Sequence, residues 1–168
     1  MNPFEFYGLQ PNLLIDEAKL RAQYLKVQRE WHPDYFAADP EKQLQAAEKT
    51  AQNNRYYQKL NSFSARMQTI LDMHNLAGDA GNILPGSFLM EMMELNEEIE
   101  VAASNSQLRK AVESQIQQKE DSVLQQAMEL ANKWGENIAQ VEPLAKLQQL
   151  YQMNRYLLRL KNKIQSAY

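Results

Sequence analysis

His32 and His74 are the only imidazoles in the chain, and it has no cysteine. Thiolate metal sites, disulfide frameworks, iron-sulfur ligation by this chain and cysteine nucleophiles are thereby removed together. The serines stand in no nucleophile-elbow setting, and no glycine-rich phosphate loop precedes a helix. Glu97, Glu98 and Glu100 form a carboxylate cluster, but without the Glu-x-x-His pairs of a di-iron bundle they read as a solvated helix face. The expectation is a protein that is not an enzyme, with no catalytic residue, no resident metal and no cofactor. What remains is one tripeptide, His32-Pro33-Asp34, which by itself reads as a helix stop followed by a cap or turn.

The tripeptide needs two helices to hold it. Asp16 can cap a helix whose apolar positions Leu20, Tyr24, Val27 and Trp31 follow the spacing i, i+4, i+7, i+11. That helix must stop near Trp31, because Pro33 biases His32 away from helical angles and cannot continue the hydrogen-bond ladder. Asp39-Pro40-Glu41 supplies a cap, a proline at the first helical position and an acid in the first turn of a second helix running to about Leu60. A short loop makes such helices antiparallel neighbours, so residues 32–38 form the exposed tip of a helical hairpin. Pro3 to Tyr7 suggests a one-turn helix, and Phe63, Arg66, Met67 and Ile70 another short one.

Beyond the hairpin, Gly78, Gly81, Pro85 and Gly86 mark a linker over 76–86, leaving one domain at 1–75 and a second at 87–168. The second reads as three helices: about Ser87 to Ala103, Ser106 to Trp134 ending at Gly135, and Pro143 to Gln165. Val112, Ile116, Val123, Ala127, Leu130 and Trp134 mark one face of the long helix, and Leu144, Leu147, Tyr151 and Leu158 one face of the last. At about 100° per residue, Phe88, Met92, Leu95 and Ile99 share the sector that faces the bundle. Leu89, Met90, Met93 and Glu97 project to a second sector, with Glu94 at its edge, and a helix with one buried face has no structural use for it. Exposed apolar anchors rimmed by acids suit a surface that selects a basic protein partner. The other use of the stripe is as a seat for the N-terminal domain.

Composition agrees with an all-α chain: 168 residues, 44% hydrophobic and 23% charged, with only 5 Gly and 6 Pro. A net charge of −3 argues against a nucleic-acid binder. No stretch approaches the roughly 20 apolar residues of a membrane span, and the N-terminus lacks the basic and apolar regions of a secretory signal. The expected location is cytoplasmic, with no nucleic acid or membrane partner.

His32-Pro33-Asp34 at a hairpin tip, with Lys26 and Arg29 on the outward side of the preceding helix and Arg21 at its flank, resembles a J-domain. Tyr24, Trp31, Phe36, Asn54, Tyr57 and Leu60 occur at spacings similar to those of that family. The run Phe88-Leu89-Met90-Glu91-Met92-Met93-Glu94-Leu95-Asn96-Glu97-Glu98 narrows the resemblance to HscB-type co-chaperones (Hsc-twenty, or Jac in mitochondria), over nearly the whole chain. The resemblance implies an N-terminal J-domain joined in an L shape to a C-terminal three-helix client-binding domain. It implies a co-chaperone that docks His32, Pro33, Asp34, Lys26, Arg29 and Arg21 on a DnaK-class chaperone (HscA-like), stimulates its ATPase, and delivers an iron-sulfur scaffold protein (IscU-like) for cluster assembly and transfer. The scaffold-binding residues of the family map onto Leu89, Met90, Met93, Glu94, Glu97 and Tyr156. The sequence departs from the pattern at Tyr35, where a lysine is usual, in Asn61-Ser62-Phe63-Ser64, which lacks a proline before Arg66, and at Val101, where the family has a further acid. The readings from another class are a helical interaction or scaffold protein whose His-Pro-Asp is incidental, or a J-domain co-chaperone with a different client.

Overall fold

The structure, a computed structural model, describes residues 1–78, 84–102, 105–134 and 141–166, with the backbone alone for Trp134, Val141 and Glu142. Among the described residues it is all-α, with seven α-helices and one 3-10 turn. Contacts cluster into two compact units, Met1–His74 and Asn75–Tyr168.

The first unit contains α1 (Pro3–Phe6), α2 (Glu17–Glu30), the 3-10 turn (Pro33–Phe36), α3 (Pro40–Leu60) and α4 (Phe63–Met73). Each helix starts where a side-chain oxygen meets an unpaired backbone N–H. Asn2 and Glu5 close a reciprocal capping box on α1. Asp16 Oδ1 accepts from Lys19 N at 2.9 Å on α2, and Asp39 Oδ1 accepts from Lys42 N at 3.1 Å on α3. The Lys42 N–H holds the Asp39 carboxyl below its ordinary range. Ser62 caps α4 by accepting from Ala65 N, so the segment that lacks a proline has its own start signal. Chain reversals after α1 and α4 need left-handed backbone, and Gly8 (φ 62°) and Asn75 (φ 59°) provide it.

α2 and α3 pair antiparallel through a polar seam. Asn53, fully buried, donates from Nδ2 to Tyr24 C=O at 3.1 Å and accepts from Tyr7 Oη at Oδ1 and at its carbonyl. Burial first, then the nearby Tyr24 and Tyr57, pushes the Tyr7 hydroxyl well above the tyrosine range, so it remains a donor. Tyr24 stacks on Tyr57 at 4.2 Å and donates to Asn54 Oδ1. Below this seam Phe4, Leu13, Leu20, Leu60, Met67, Ile70 and Leu71 form the core.

Arg66 lies inside that core, 4% exposed. Its Nε donates to Leu13 C=O at 2.8 Å, one terminal nitrogen to Leu60 C=O at 2.7 Å and the other to Glu17 Oε1 at 3.0 Å. Sequence periodicity placed Arg66 among the apolar positions of α4, and the structure explains why: the guanidinium satisfies two buried carbonyls that no helix can pair.

The second unit is an antiparallel bundle of α5 (Gly86–Ala102), α6 (Ser106–Trp134) and α7 (Val141–Ser166). α5 opens one residue before the expected Ser87, while its expected end at Ala103 lies outside the described residues. α7 opens two residues before the expected Pro143, which a helix tolerates in its first turn because those N–H groups have no intrahelical acceptor. Phe88, Met92, Leu95 and Ile99 are buried, as are Val112, Ile116, Val123 and Ala127 on α6 and Leu144, Leu147 and Tyr151 on α7. Leu130 and Leu158 are only half-buried. Trp134 and Gly135 fall outside what is described of the side chains and backbone respectively. Leu157, Leu160 and Ile164 bury beside the expected α7 stripe, because α7 packs on both α5 and α6 and needs a wider apolar arc.

Of the expected 76–86 linker, residues 79–83 lie outside the described residues. At its start, Leu76 C=O and Gly78 C=O accept from Gln148 Nε2 (2.8 Å) and Gln152 Nε2 (2.9 Å) on α7.

The Arg66 network yields a stability prediction. Arg66→Ala strands the Leu13 and Leu60 carbonyls and is expected to cost about 3 kcal/mol. Urea unfolding of the two proteins checks it, the expected result being a lower midpoint for the variant with helicity otherwise retained at zero denaturant.

Candidate functional site

The hairpin tip is built from its flanks inward. Trp31 closes α2, and its carbonyl accepts from Thr50 Oγ1 on α3 at 2.9 Å. The Trp31 ring stacks on Phe36 at 6.1 Å, and Asp39 N returns to Phe36 C=O at 2.9 Å. Between these anchors His32 is the cap of the 3-10 turn, and Pro33 occupies its first position, where φ near −65° is already required. His32 Nδ1 accepts from Asp34 N at 3.3 Å, and His32 C=O accepts from Tyr35 N at 3.0 Å. With Nδ1 accepting, a neutral ring carries its proton on Nε2, and the Asp34 carboxylate lies 3.6 Å from Nδ1. Tyr35 is exposed, its ring 5.7 Å from that of His32. No residue of the turn is buried, so the tripeptide is held rigid from behind and open in front.

Lys26, Arg29 and Arg21 are all exposed on α2, away from the Leu20, Tyr24, Val27 and Trp31 side. Lys26 makes only a loose pair with Glu30 at 3.9 Å, and Arg29 Nε donates to Leu25 C=O at 3.3 Å. Neither Arg21 nor Arg29 meets a carboxylate among the described residues, so the outer face of α2 keeps its positive charge.

The second unit carries the other group of expected site residues. Leu89, Met90 and Met93 are 40, 66 and 63% exposed, and Glu94 and Glu97 are exposed beside them. They occupy one continuous sector of α5, opposite Phe88, Met92, Leu95 and Ile99. Tyr156 is separate in character. It is half-buried on α7, its ring edge-on to Phe88 at 6.2 Å with the Arg159 guanidinium 5.2 Å from its centroid. Val101, 67% exposed, extends the apolar stripe where an acid was expected from the resemblance.

The charges on α5 fall into two groups. Glu91 pairs with Lys119 of α6, and Glu100 pairs with Lys163 of α7 at 3.1 Å. Glu94 and Glu97 have no ion-pair partner among the described residues. Helical angle had already set Glu94 and Glu97 on the outer sector; the neighbouring helices add which carboxylates are neutralised, and Glu98 also has no ion-pair partner among the described residues. No group of three His, Asp or Glu side chains capable of holding a metal occurs among the described residues.

Comparison with known proteins extends these observations. Residues 84–165 match the family described as the HSCB C-terminal oligomerisation domain. The co-chaperone protein HscB homolog of Vibrio atlanticus is 32% identical over 98% of this chain and 95% of its own length. That of Aliivibrio salmonicida is 38% identical over 63% of this chain and 64% of its own. Among solved structures, chaperone HscB from Vibrio cholerae superposes with a TM-score of 0.74 at 28% identity, covering 99% of this chain and 96% of that one. Human co-chaperone protein HscB shares the fold, with a TM-score of 0.80 at 22% identity over 99% of this chain and 81% of its own. A relative aligned through both units, with about a third of positions identical, carries more than a shared helical fold, and the chain belongs to the HscB family of J-domain co-chaperones.

Proposed function

We propose that this co-chaperone stimulates the ATPase of a DnaK-class, HscA-like chaperone through residues 1–75 and delivers an IscU-like iron-sulfur scaffold protein bound to residues 87–168. The observation that carries the reading is the His32-Pro33-Asp34 turn, rigidly braced, with His32 and Asp34 exposed and Pro33 half-buried between them. Bracing by Thr50, Phe36 and Pro33 means that little ordering entropy is lost when a partner docks. His32 Nε2 is available to donate, the Asp34 carboxylate to accept from an arginine, and the unneutralised arginines of α2 steer an acidic surface toward the turn. The client half rests on the α5 stripe, where Leu89, Met90 and Met93 supply apolar anchors and Glu94 and Glu97 favour a basic partner. Tyr156 contributes an aromatic edge while also packing on Phe88.

ATP turnover by the purified HscA-like chaperone, with this protein and with or without the scaffold, tests the reading. His32→Gln is expected to abolish stimulation while melting stays unchanged, because the side chain contacts only its own turn. Retained stimulation would refute the role of the tip. Arg29→Ala is expected to weaken chaperone association on the order of tenfold at low salt, a difference that shrinks as ionic strength rises. Leu89→Ala with Met93→Ala is expected to weaken scaffold binding by about 2–4 kcal/mol in calorimetry, leaving scaffold-free ATPase stimulation and melting intact. Tyr156→Ala is a less clean probe, since it also removes the packing on Phe88 and is expected to lower the melting temperature.

A further inference from the structure

Beside the α5 stripe lies an open groove of about 580 Å³, where the end of α5 meets the start of α6. Its apolar lining is Val101, Leu108, Ala111 and Val112, and Glu94, Glu97 and Glu98 line it as carboxylates. Leu108 is 45% exposed, so the groove presents apolar surface to solvent without contributing it to the bundle core. At its far side Gln115 Nε2 reaches Glu98 Oε2 only at 3.5 Å, a weak contact that a ligand can displace.

Charge distinguishes this groove from the rest of the bundle surface. Along α5, the carboxylates that bracket it, Glu91 and Glu100, are neutralised by lysines from α6 and α7. The three that line it, Glu94, Glu97 and Glu98, have no ion-pair partner among the described residues. An open apolar groove lined by three unneutralised carboxylates is complementary to an apolar side chain with a cation one turn or two residues away. Glu94 and Glu97 also edge the Leu89, Met90, Met93 sector, so stripe and groove form one continuous surface across two helices.

We propose that the α5–α6 groove receives an apolar side chain of the partner protein that docks on the α5 stripe, with a lysine or arginine beside it paired to Glu94 or Glu97. The proposal rests on the client reading of α5, and it makes Leu108 and Ala111 of α6 determinants of which partner sequence is accepted. Specificity then comes from the groove and not from the outer stripe alone, whose exposed methionines accommodate many apolar shapes.

Ala111→Trp fills the groove while keeping every carboxylate, so it separates shape from charge. Two probes are titrated into the full chain: the purified scaffold protein, and a short peptide of alternating leucine and lysine with its glutamate counterpart as control. The lysine peptide is expected to shift the backbone amides of Val101, Leu108 and Gln115 in NMR spectra, and the glutamate peptide to leave them in place. Ala111→Trp is expected to weaken both lysine-peptide and scaffold binding on the order of tenfold, with melting unchanged. If the variant melts lower, Leu108→Ser at its exposed position takes its place. Scaffold binding to the variant within about twofold of the parent, or peptide shifts that map elsewhere, would overturn the groove while leaving the α5 stripe intact. If the scaffold fails to bind the parent protein, the client reading falls, and the groove stands or falls on the location and charge selectivity of the peptide shifts.

Discussion

The guanidinium of Arg66 donates to Leu13 C=O, Leu60 C=O and Glu17 Oε1, and these groups belong to the segment before α2, the end of α3 and the start of α2. All must meet at one point for α2 and α3 to hold their register, and the register of that pair is what brings Thr50 under Trp31. A buried cation is costly unless its donors are satisfied, and here carbonyl oxygens and one carboxylate supply the acceptors. The cost of desolvation thereby becomes a source of specificity, since a slipped hairpin would leave the charge buried and unpaired. The rigidity of a tip that makes almost no core contacts of its own traces back to this group and to the Asn53–Tyr7–Tyr24 seam above it.

The second unit uses charge differently. Glu120, almost buried, pairs with Lys161 at 2.7 Å and ties α6 to α7. Lys119 and Lys163 hold Glu91 and Glu100 from the two flanking helices, so cross-helix pairs brace α5 on both sides. Pairs this exposed contribute little stability. Their effect on surface charge is larger, because they cancel the charge of Glu91 and Glu100 and leave Glu94, Glu97 and Glu98 as the negative edge of an apolar surface. A surface of exposed Leu and Met carries an aggregation hazard. Flanking carboxylates offset it through repulsion between like copies.

The two surfaces place opposite demands on their units. In the proposed docking role the tip has to be stiff, since a short polar motif offers few contacts and cannot absorb a large ordering cost. The α5 stripe can tolerate side-chain freedom, because methionine adapts its shape to what covers it. Backbone bracing is accordingly concentrated behind residues 32–36, whereas α5 is held by its buried face and leaves the outer residues unrestrained.

The starts of the α-helices were legible in the sequence to within two residues, because caps, prolines and apolar spacing are local signals that act before any tertiary contact exists. Asp16 and Asp39-Pro40 mark helix starts whether or not a partner helix is present, and Asn105, whose Oδ1 accepts from Gln107 N and Leu108 N, does the same for α6. The division of α5 into inner and outer stripes was legible for the same reason, since angular position follows from helical repeat alone, and the exposure of Leu89, Met90 and Met93 agrees with it. Properties that depend on residues distant in sequence were not legible. Periodicity put Arg66 on the buried face of α4, but its acceptors lie 53, 6 and 49 residues away. The wider apolar arc of α7 reflects contact with two helices at once, which one helix's pattern cannot specify. Helical angle placed Glu94 and Glu97 on the outer sector, but which α5 carboxylates are neutralised depends on Lys119 and Lys163 of neighbouring helices, which pair Glu91 and Glu100 and leave Glu94, Glu97 and Glu98 without an ion pair among the described residues. Local sequence sets where each helix begins and which way each side chain faces; long-range packing sets which buried groups find acceptors and which surface charges survive.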